Sequence, residues 1–557
     1  MPAIYHTYML SLKKKLLLFT LLFNLSISHG QVVFEPTYHS VYSYLSRLAQ
    51  KGVIDLNDVV LPLSKDYIYT KLDEVSKKIA EITPLEREEL AFYLKEYTLW
   101  WRNDPKSGFE GEYRSILKAK VGDRFRTFAI QDPNFALNVQ PILGLQTESR
   151  NGYSYVRNWK GFWAYGYLGK HIGYSVDFRA TSETGKIDDY LRDFSPETGV
   201  IGTKTDYKTF NFNETNVSIT GSWEWGKFTI GKNYMPVGYG QGGKIILSDK
   251  APSFPQIRLD VNPKEWLSFN YAHIWLNSLV VDSTSLQSVP GTNRLEYQFK
   301  SKFLATHSLT LRPIKNLRFT VGESAVYSDK LRFEYMIPIA LFSGMSHYMG
   351  ELVNNSISNS SIFTQLSIRN IPRKTHIYAS FFIDELRLNS IDGDSTNSRN
   401  QTAYQLGMSV VDFPIRNMSI VAEYSRIRPF AYIHFIPEQS YQNSGYNLGH
   451  WIGSNADQFF AQMKYRIKRG MEVNIVYQYI RKGSVGVASQ QIADNKYLFP
   501  FLWGEVKNHE YFSTTFQYEL VHDLFLKLGY NHSNQANQNN SNKLLNDQFV
   551  FGFNFGF

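Results

Sequence analysis

Three stretches hold side chains whose types and spacing could do chemistry. "GYGQGGK" (238–244) fits both glycine-rich phosphate signatures: Gly238, Gly240 and Gly243 match G-x-G-x-x-G, and Gly238 to Lys244 match G-x-x-x-x-G-K. Each signature needs a helix to follow, whose N-terminal amides and dipole hold the phosphates. Here "IILSDKAPSFP" follows, with Ile245 where a Ser or Thr should stand and prolines soon after. The glycines are read instead as sites of close backbone packing near the barrel mouth. "NHSNQ" (531–535) sets His532 beside Ser533, but a nucleophile and its base are recognised by geometry rather than adjacency, and a solvated loop is the reading. The 13 histidines include no H-E-x-x-H and no tight cluster, and the absence of cysteine excludes thiolate catalysis, zinc–cysteine sites, disulfides and a lipidated cysteine. No catalytic residue, metal or cofactor is assigned. The third stretch, "VAEYSRIRPFAY" (421–432), carries two arginines whose meaning depends on the strand that bears them.

The elements explain that strand. The chain ends in "QFVFGFNFGF", with Phe549, Phe551, Phe553, Phe555 and Phe557 on alternate positions and Gln548, Val550, Gly552, Asn554 and Gly556 between them. A period of two places the five rings on one face of a strand, and rings toward lipid with small or polar groups toward a lumen is a transmembrane-barrel pattern. A soluble sandwich could also bury such a row. The other end of the chain decides between them. Lys13 to Lys15, an apolar run from Leu16 to Leu25, and Ser28 and Gly30 before Gln31 form a signal peptide over 1–30, too short to span a bilayer. The mean hydropathy of −0.31 hides a barrel, because lipid-facing and lumen-facing residues cancel, while 37 Tyr and 39 Phe betray it. The net charge of +9 is modest for an exported chain without a dense basic stripe. It argues against nucleic acid as a partner and suits lipopolysaccharide or an acidic polysaccharide.

Residues 31–110 read as a small helical domain. Val41, Tyr44, Leu45, Leu48 and Ala49 keep helical spacing before Gly52, Ser64 is an N-cap, and Thr83-Pro84 with Glu86 forms a capping box. From 111 to 557 the period is two. Eight tight turns, among them the near-identical Pro313–Asn316 and Pro414–Asn417 sequences, alternate with longer polar stretches at 181–210, 282–296, 387–400, 436–458 and 532–546. Short turns at one end and long loops at the other mark an outer-membrane antiparallel β-barrel of about 18 strands, preceded by a periplasmic helical domain. The final strand closes the barrel against the first. Its aromatic end is like the signal recognised by barrel-assembly machinery.

On this scaffold Ile420, Ala422 and Tyr424 share the lipid-facing parity, so Ser419, Glu423 and Ser425 face the lumen. Arg426 and Arg428 continue the lipid parity, where a charge at mid-bilayer costs ~2–4 kcal/mol, so they belong at the outer rim. There they could grip lipopolysaccharide phosphate or an anionic glycan. Sugar sites pair aromatic faces with charged or amide groups. The expected polysaccharide-binding set is therefore Tyr234, Tyr239, Gln241 and Lys244, with Arg426, Arg428 and Tyr432, all at the outer ends of strands. "KLRFEYMIPIALFSGMSHYMGELV" (330–353) is too apolar to dangle in water and is expected to cap or enter the lumen, where it and 234–258 could form a plug.

Three stretches together resemble the Wzi family of capsule assembly proteins: "YLSRLAQKGVIDL…LPLSKDYIYTKLDEV", "IGKNYMPVGYGQGGKIILSDKAPSFPQIRL" and "EYSRIRPFAY". The resemblance implies an outer-membrane barrel with a closed outer mouth, a periplasmic helical bundle, and a lectin-like role in holding exported capsular polysaccharide at the cell surface. It brings no catalytic motif. The competing reading is a porin or carbohydrate channel.

Overall fold

The computed structural model describes residues 32–97, 128–131, 134–150, 153–169, 171–185, 192–205, 208–353, 358–385, 400–492, 499–537 and 540–556. The signal peptide, the expected boundary at 110/111, most of the 387–400 stretch and Phe557 lie outside the described residues.

Eighteen antiparallel strands run in chain order from Phe135–Arg150 to Asn540–Phe555, and the last pairs with the first from Leu143↔Phe555 to Arg150↔Gln548. Closure leaves no edge, which is what lets a sheet cross lipid. All eight expected turns are present, each joining neighbouring strands. The two near-identical turn sequences nevertheless differ. Ile314 pairs directly with Leu317, whereas the strand Gln401–Val411 stops before Pro414 and Asn417 takes a φ of +69°. The Asp412 carboxylate accepts the Asn417 N–H at 2.9 Å and holds that wider turn.

Alternation sorts the walls. On Met418–Ile427, Val421, Glu423 and Ser425 are buried toward the lumen, and Ala422, Tyr424 and Arg426 point outward, as expected. The outward belt includes Ile219, Leu406, Leu528, Phe549 and Phe551, each at least half exposed. Phe555 breaks the aromatic row at 5% exposure, where the Gly556 backbone closes on Pro141 so tightly that a Cβ would stand 2.0 Å from its carbonyl oxygen. The polar stretch 532–546 is mostly not a loop. It continues the strands Leu524–Asn537 and Asn540–Phe555, with His532 opposite Asp547 and Ala536 opposite Lys543. Wall that rises above lipid meets water on both faces, so polar residues serve there as well as apolar ones. His532 bonds Asp547 at 2.8 Å, and its neighbour Ser533 points to the opposite face, so the two cannot act as a pair.

Among the described residues, three α-helices precede the barrel: α1 (Val41–Gln50), α2 (Lys65–Ser76) and α3 (Pro84–Tyr97). Tyr44, Leu45, Leu48, Ile68, Leu72, Val75 and Leu90 form their common core. The capping box is present: the Thr83 N–H donates to Glu86 at 2.8 Å and the Glu86 N–H to the Thr83 hydroxyl at 3.2 Å. Ser64 precedes α2 but its hydroxyl does not cap it; Lys227 of the barrel donates to that oxygen instead. The bundle sits at the tight-turn end of the barrel and is tied there by charge. Arg47 reaches Asp412 and Glu86, Arg466 grips both oxygens of Glu89 at 2.8 and 2.9 Å, and Arg369 grips both of Asp58 at 2.7 and 2.8 Å.

Two segments fold into the lumen. Segment 234–253 folds inward from mid-height, and segment 428–455 folds down from the long-loop end. Ile245, Ile246 and Leu247 of the first pack with Tyr432, Tyr441, Leu448 and Trp451 of the second in one apolar core with Phe254, Phe363 and Phe382 of the wall. Main-chain bonds lock the pieces: Leu61 N–H to Pro236 O at 2.9 Å, Gly238 N–H to Val59 O at 2.9 Å and Ser248 N–H to Leu448 O at 2.7 Å.

Segment 330–353 does not join that plug. It carries a short 3-10 turn, Phe333–Met336, and helix α4 (Phe342–Val353). Tyr335 and Phe342 pack on Tyr271, Phe303, Ala325 and Tyr327, which point out of the barrel on the parity opposite to the lumen residues Ala272, Leu304 and Val326. The segment therefore lies against the outer wall.

Candidate functional site

The seven expected binding residues fall into three separate places. Tyr234, Tyr239, Gln241 and Lys244 are not at the outer rim; they line an internal cavity of about 820 Å³ between segment 234–253, the helical bundle and the turn-end half of the wall. The strand Gly226–Asn233 has only 8 residues, so the chain turns inward before reaching the outer end, a length that alternation alone did not reveal. The Tyr234 hydroxyl donates to Glu214 at 2.6 Å, the Tyr239 ring lies edge-on to His376 at 5.2 Å, and the Lys244 ammonium donates to Gly240 O at 2.8 Å. Burial lowers the Lys244 pKa, although Asp249, Glu423 and Asp58 oppose the shift.

The glycine-rich loop is closed to phosphate by its own barrel. Gln241 and Gly242 N–H groups, which would face an anion in a nucleotide site, both donate to the Glu423 carboxylate, at 2.6 and 2.9 Å. Gly243 takes a φ of +151°, and a Cβ there would meet the His450 ring at 2.5 Å. Close packing is the role of these glycines, inside the lumen rather than at its mouth.

Tyr432 is wholly buried and joins the two lumen segments. Its hydroxyl donates to Ile245 O at 2.6 Å, and its N–H to Asp384 at 2.9 Å. It is a structural joint, out of reach of a glycan.

Arg426 and Arg428 do lie at the rim. Arg426 points outward one residue before the end of its strand, with its guanidinium 3.8 Å over the Phe501 ring. Arg428 donates to Phe499 O at 3.4 Å; burial and then the like charge of Arg426 lower its pKa. Phe430, Phe499 and Trp503 stack beside them, with ring centres 4.7 to 6.3 Å apart. A third arginine completes the group. Arg481 pairs with Asp457, which stands opposite Arg426 in the neighbouring strand and also accepts the Tyr424 hydroxyl at 2.9 Å. Its side chain is 42% exposed. The rim thus gathers three arginines, Arg481 on the Asp457 carboxylate, Arg426 over the Phe501 ring and Arg428 on the Phe499 carbonyl. Sequence reading missed Arg481 and the 499–503 floor; "YIRKG" at a strand end and the run "FPFLWGE" were the available signals. No group of three or more metal-ligating side chains occurs among the described residues.

A closed barrel with an outward apolar belt and loops packed into its lumen is an outer-membrane β-barrel. The chain belongs to the capsule assembly protein Wzi family, whose model matches residues 118–337 and 354–548. Among solved structures it is similar to Wzi, described as an outer membrane protein involved in group 1 capsule assembly in Escherichia coli and a carbohydrate-binding β-barrel. That match has 12% identity and a TM-score of 0.54, and covers 94% of this chain and 99% of that one. The OprD barrel of Pseudomonas aeruginosa matches at 10% identity and a TM-score of 0.41, over 79% of this chain and 96% of that one. No curated protein matches in sequence.

Proposed function

We propose that this chain holds exported capsular polysaccharide at the cell surface, as a lectin-like anchor that does not conduct it. The packed lumen supports this reading: segments 234–253 and 428–455 share one apolar core with the wall, an interior unlike a polar channel. Binding then falls to the outer face. There Arg426, Arg428 and Arg481 offer planar forks for a uronate carboxylate or a phosphate, and Phe501 and Trp503 offer faces for the C–H-rich side of a sugar ring. On this reading the helical bundle lies in the periplasm, because short turns are the periplasmic end of such barrels. Lipopolysaccharide surrounds the rim, and barrel-assembly machinery inserts the chain.

The test replaces Arg426 and Arg428 with alanine, confirms assembly by heat-modifiable gel mobility, and measures surface-retained against shed polysaccharide. Two lost charge-assisted bonds should lower retention at least about tenfold. Unchanged retention in this variant and in Phe501→Ala/Trp503→Ala would mean that the rim only braces lipid headgroups. Conductance in planar bilayers by the intact chain would replace the anchor with a channel.

A further inference from the structure

The outer wall beneath segment 330–353 sets polar groups among its aromatic ones, where a lipid belt should be apolar. His273, His307, Glu323 and Ser358 all point outward there. Glu323, Ser358 and His307 contact the segment that folds over them, and His273 bonds Tyr327, which stacks on Tyr335 of that segment. Glu323 caps α4, accepting the Phe342 N–H at 2.7 Å and the Ser343 hydroxyl at 2.8 Å. The Ser358 hydroxyl accepts from Tyr335 at 2.9 Å and donates to Ser346 at 2.8 Å. The His307 ring packs 4.5 Å from Phe342, and His273, 1% exposed, bonds Tyr327 at 2.7 Å.

The segment then presents a second, apolar outer face. Phe333, Ile339 and Leu341 are 75, 80 and 68% exposed. Depth fixes what they meet. At ~3.3 Å per residue and a tilt of ~40°, the rise from the turn-end residue Leu317 to Glu323 is roughly 15 Å, inside a belt ~25 Å tall. The cap of α4 therefore lies below the outer interface. The same face is continuous with the belt residues Phe319, Val321 and Ile362 of the strands it covers.

We propose that segment 330–353 is embedded in the outer leaflet, an apolar sleeve whose partner is the acyl chains of the membrane. It covers the polar groups of that wall and presents an apolar face in their place. The sleeve satisfies the wall's carboxylate and hydroxyls internally, while Phe333, Ile339 and Leu341 sit in hydrocarbon and Lys330 stays at headgroup level.

The chain has no cysteine, so one introduced thiol reports one place. Nitroxide labels on Ile339→Cys and Phe333→Cys, in the full chain reconstituted into bilayers, would be compared with Phe551→Cys in the belt and Thr292→Cys in an exposed loop. The ratio of collision with oxygen to collision with a nickel chelate should match Phe551→Cys within about twofold, and exceed Thr292→Cys about tenfold. A ratio like that of Thr292→Cys at both sites overturns the proposal. So does exclusion of both reagents with dipolar broadening between labels, which would make a second copy of the chain the occupant.

Discussion

The two ends of the lumen are closed by opposite physics. At the turn end the helical bundle docks through charge: Arg369 on Asp58, Arg466 on Glu89, Arg47 on Asp412, with Arg312 and Arg318 sharing Asp55. Toward the mouth, segments 234–253 and 428–455 close it with Tyr432, Tyr441, Leu448 and Trp451 in a dry core. An apolar seal forms wherever its shapes match. A charged joint specifies one docking position, because each buried ion left without its partner costs more than the pair contributes.

Removing the elements themselves gives the largest expected effect. A chain lacking 32–97 should remain non-conducting in planar bilayers, since the mouth-side plug stays; one lacking 430–453 as well should conduct. A pore from the first deletion alone would make the bundle the true seal. Next comes Tyr432→Ala, which removes a buried ring and the hydroxyl bond to Ile245. It should cost about 3–5 kcal/mol, read as a lower urea midpoint in bilayers.

Breaking one ion pair should do less, and locally. Arg369→Ala strands Asp58 and is expected to weaken docking by about 2 kcal/mol, seen as faster proteolytic release of the bundle with the barrel's gel mobility unchanged. Acid should be gentlest. Burial alone would raise Glu35 and Glu86, but Lys65 and His39 hold Glu35, and Lys51, the Thr83 amide and Arg47 hold Glu86, below the ordinary carboxylate value. A depressed carboxyl contributes its full stabilisation above the unfolded value of 4.5 and loses it as pH falls through the folded one. Bundle protection against protease should thus decline below about pH 4.5. Glu89 acts the other way. Burial outweighs Arg466 and raises it to about 7, so its protonation partly offsets the loss. Protection unchanged down to pH 3 would show that the joint does not depend on these charges.

What was legible in the sequence was whatever lipid enforces. Alternation between Val421 and Arg426, the eight turns, closure by the phenylalanine strand and the Thr83–Glu86 box could be read because one local force dictates each. The Tyr234–Lys244 group was misplaced to the rim, because an 8-residue strand and a longer one begin alike. Residues 532–546 looked like loop because a wall standing in water needs no alternation of polarity. Segment 330–353 was read as a cap or plug of the lumen and lies instead on the outer wall, because hydropathy does not say toward which side of the wall apolar residues turn. Arg481 escaped because only cross-strand register sets it beside Asp457 and Arg426.

Strand length has a consequence for the polymer. Phe135–Arg150, Tyr153–Leu168, Val506–Val521 and Asn540–Phe555 have 16 residues each, while Met418–Ile427 has 10. At the rise and tilt of a membrane barrel these reach roughly 40 and 25 Å. The mouth is therefore slanted, a parapet about 15 Å high on one side and a sill flush with the membrane on another. A stiff chain arriving from outside cannot lie level across such an opening. Under the proposed anchoring role, the parapet would turn it aside and it would leave over the sill, where Arg426 and Arg428 stand. A pull on the capsule would then load that edge sideways, as shear along the cell surface, and only weakly as a force drawing the barrel out of the membrane.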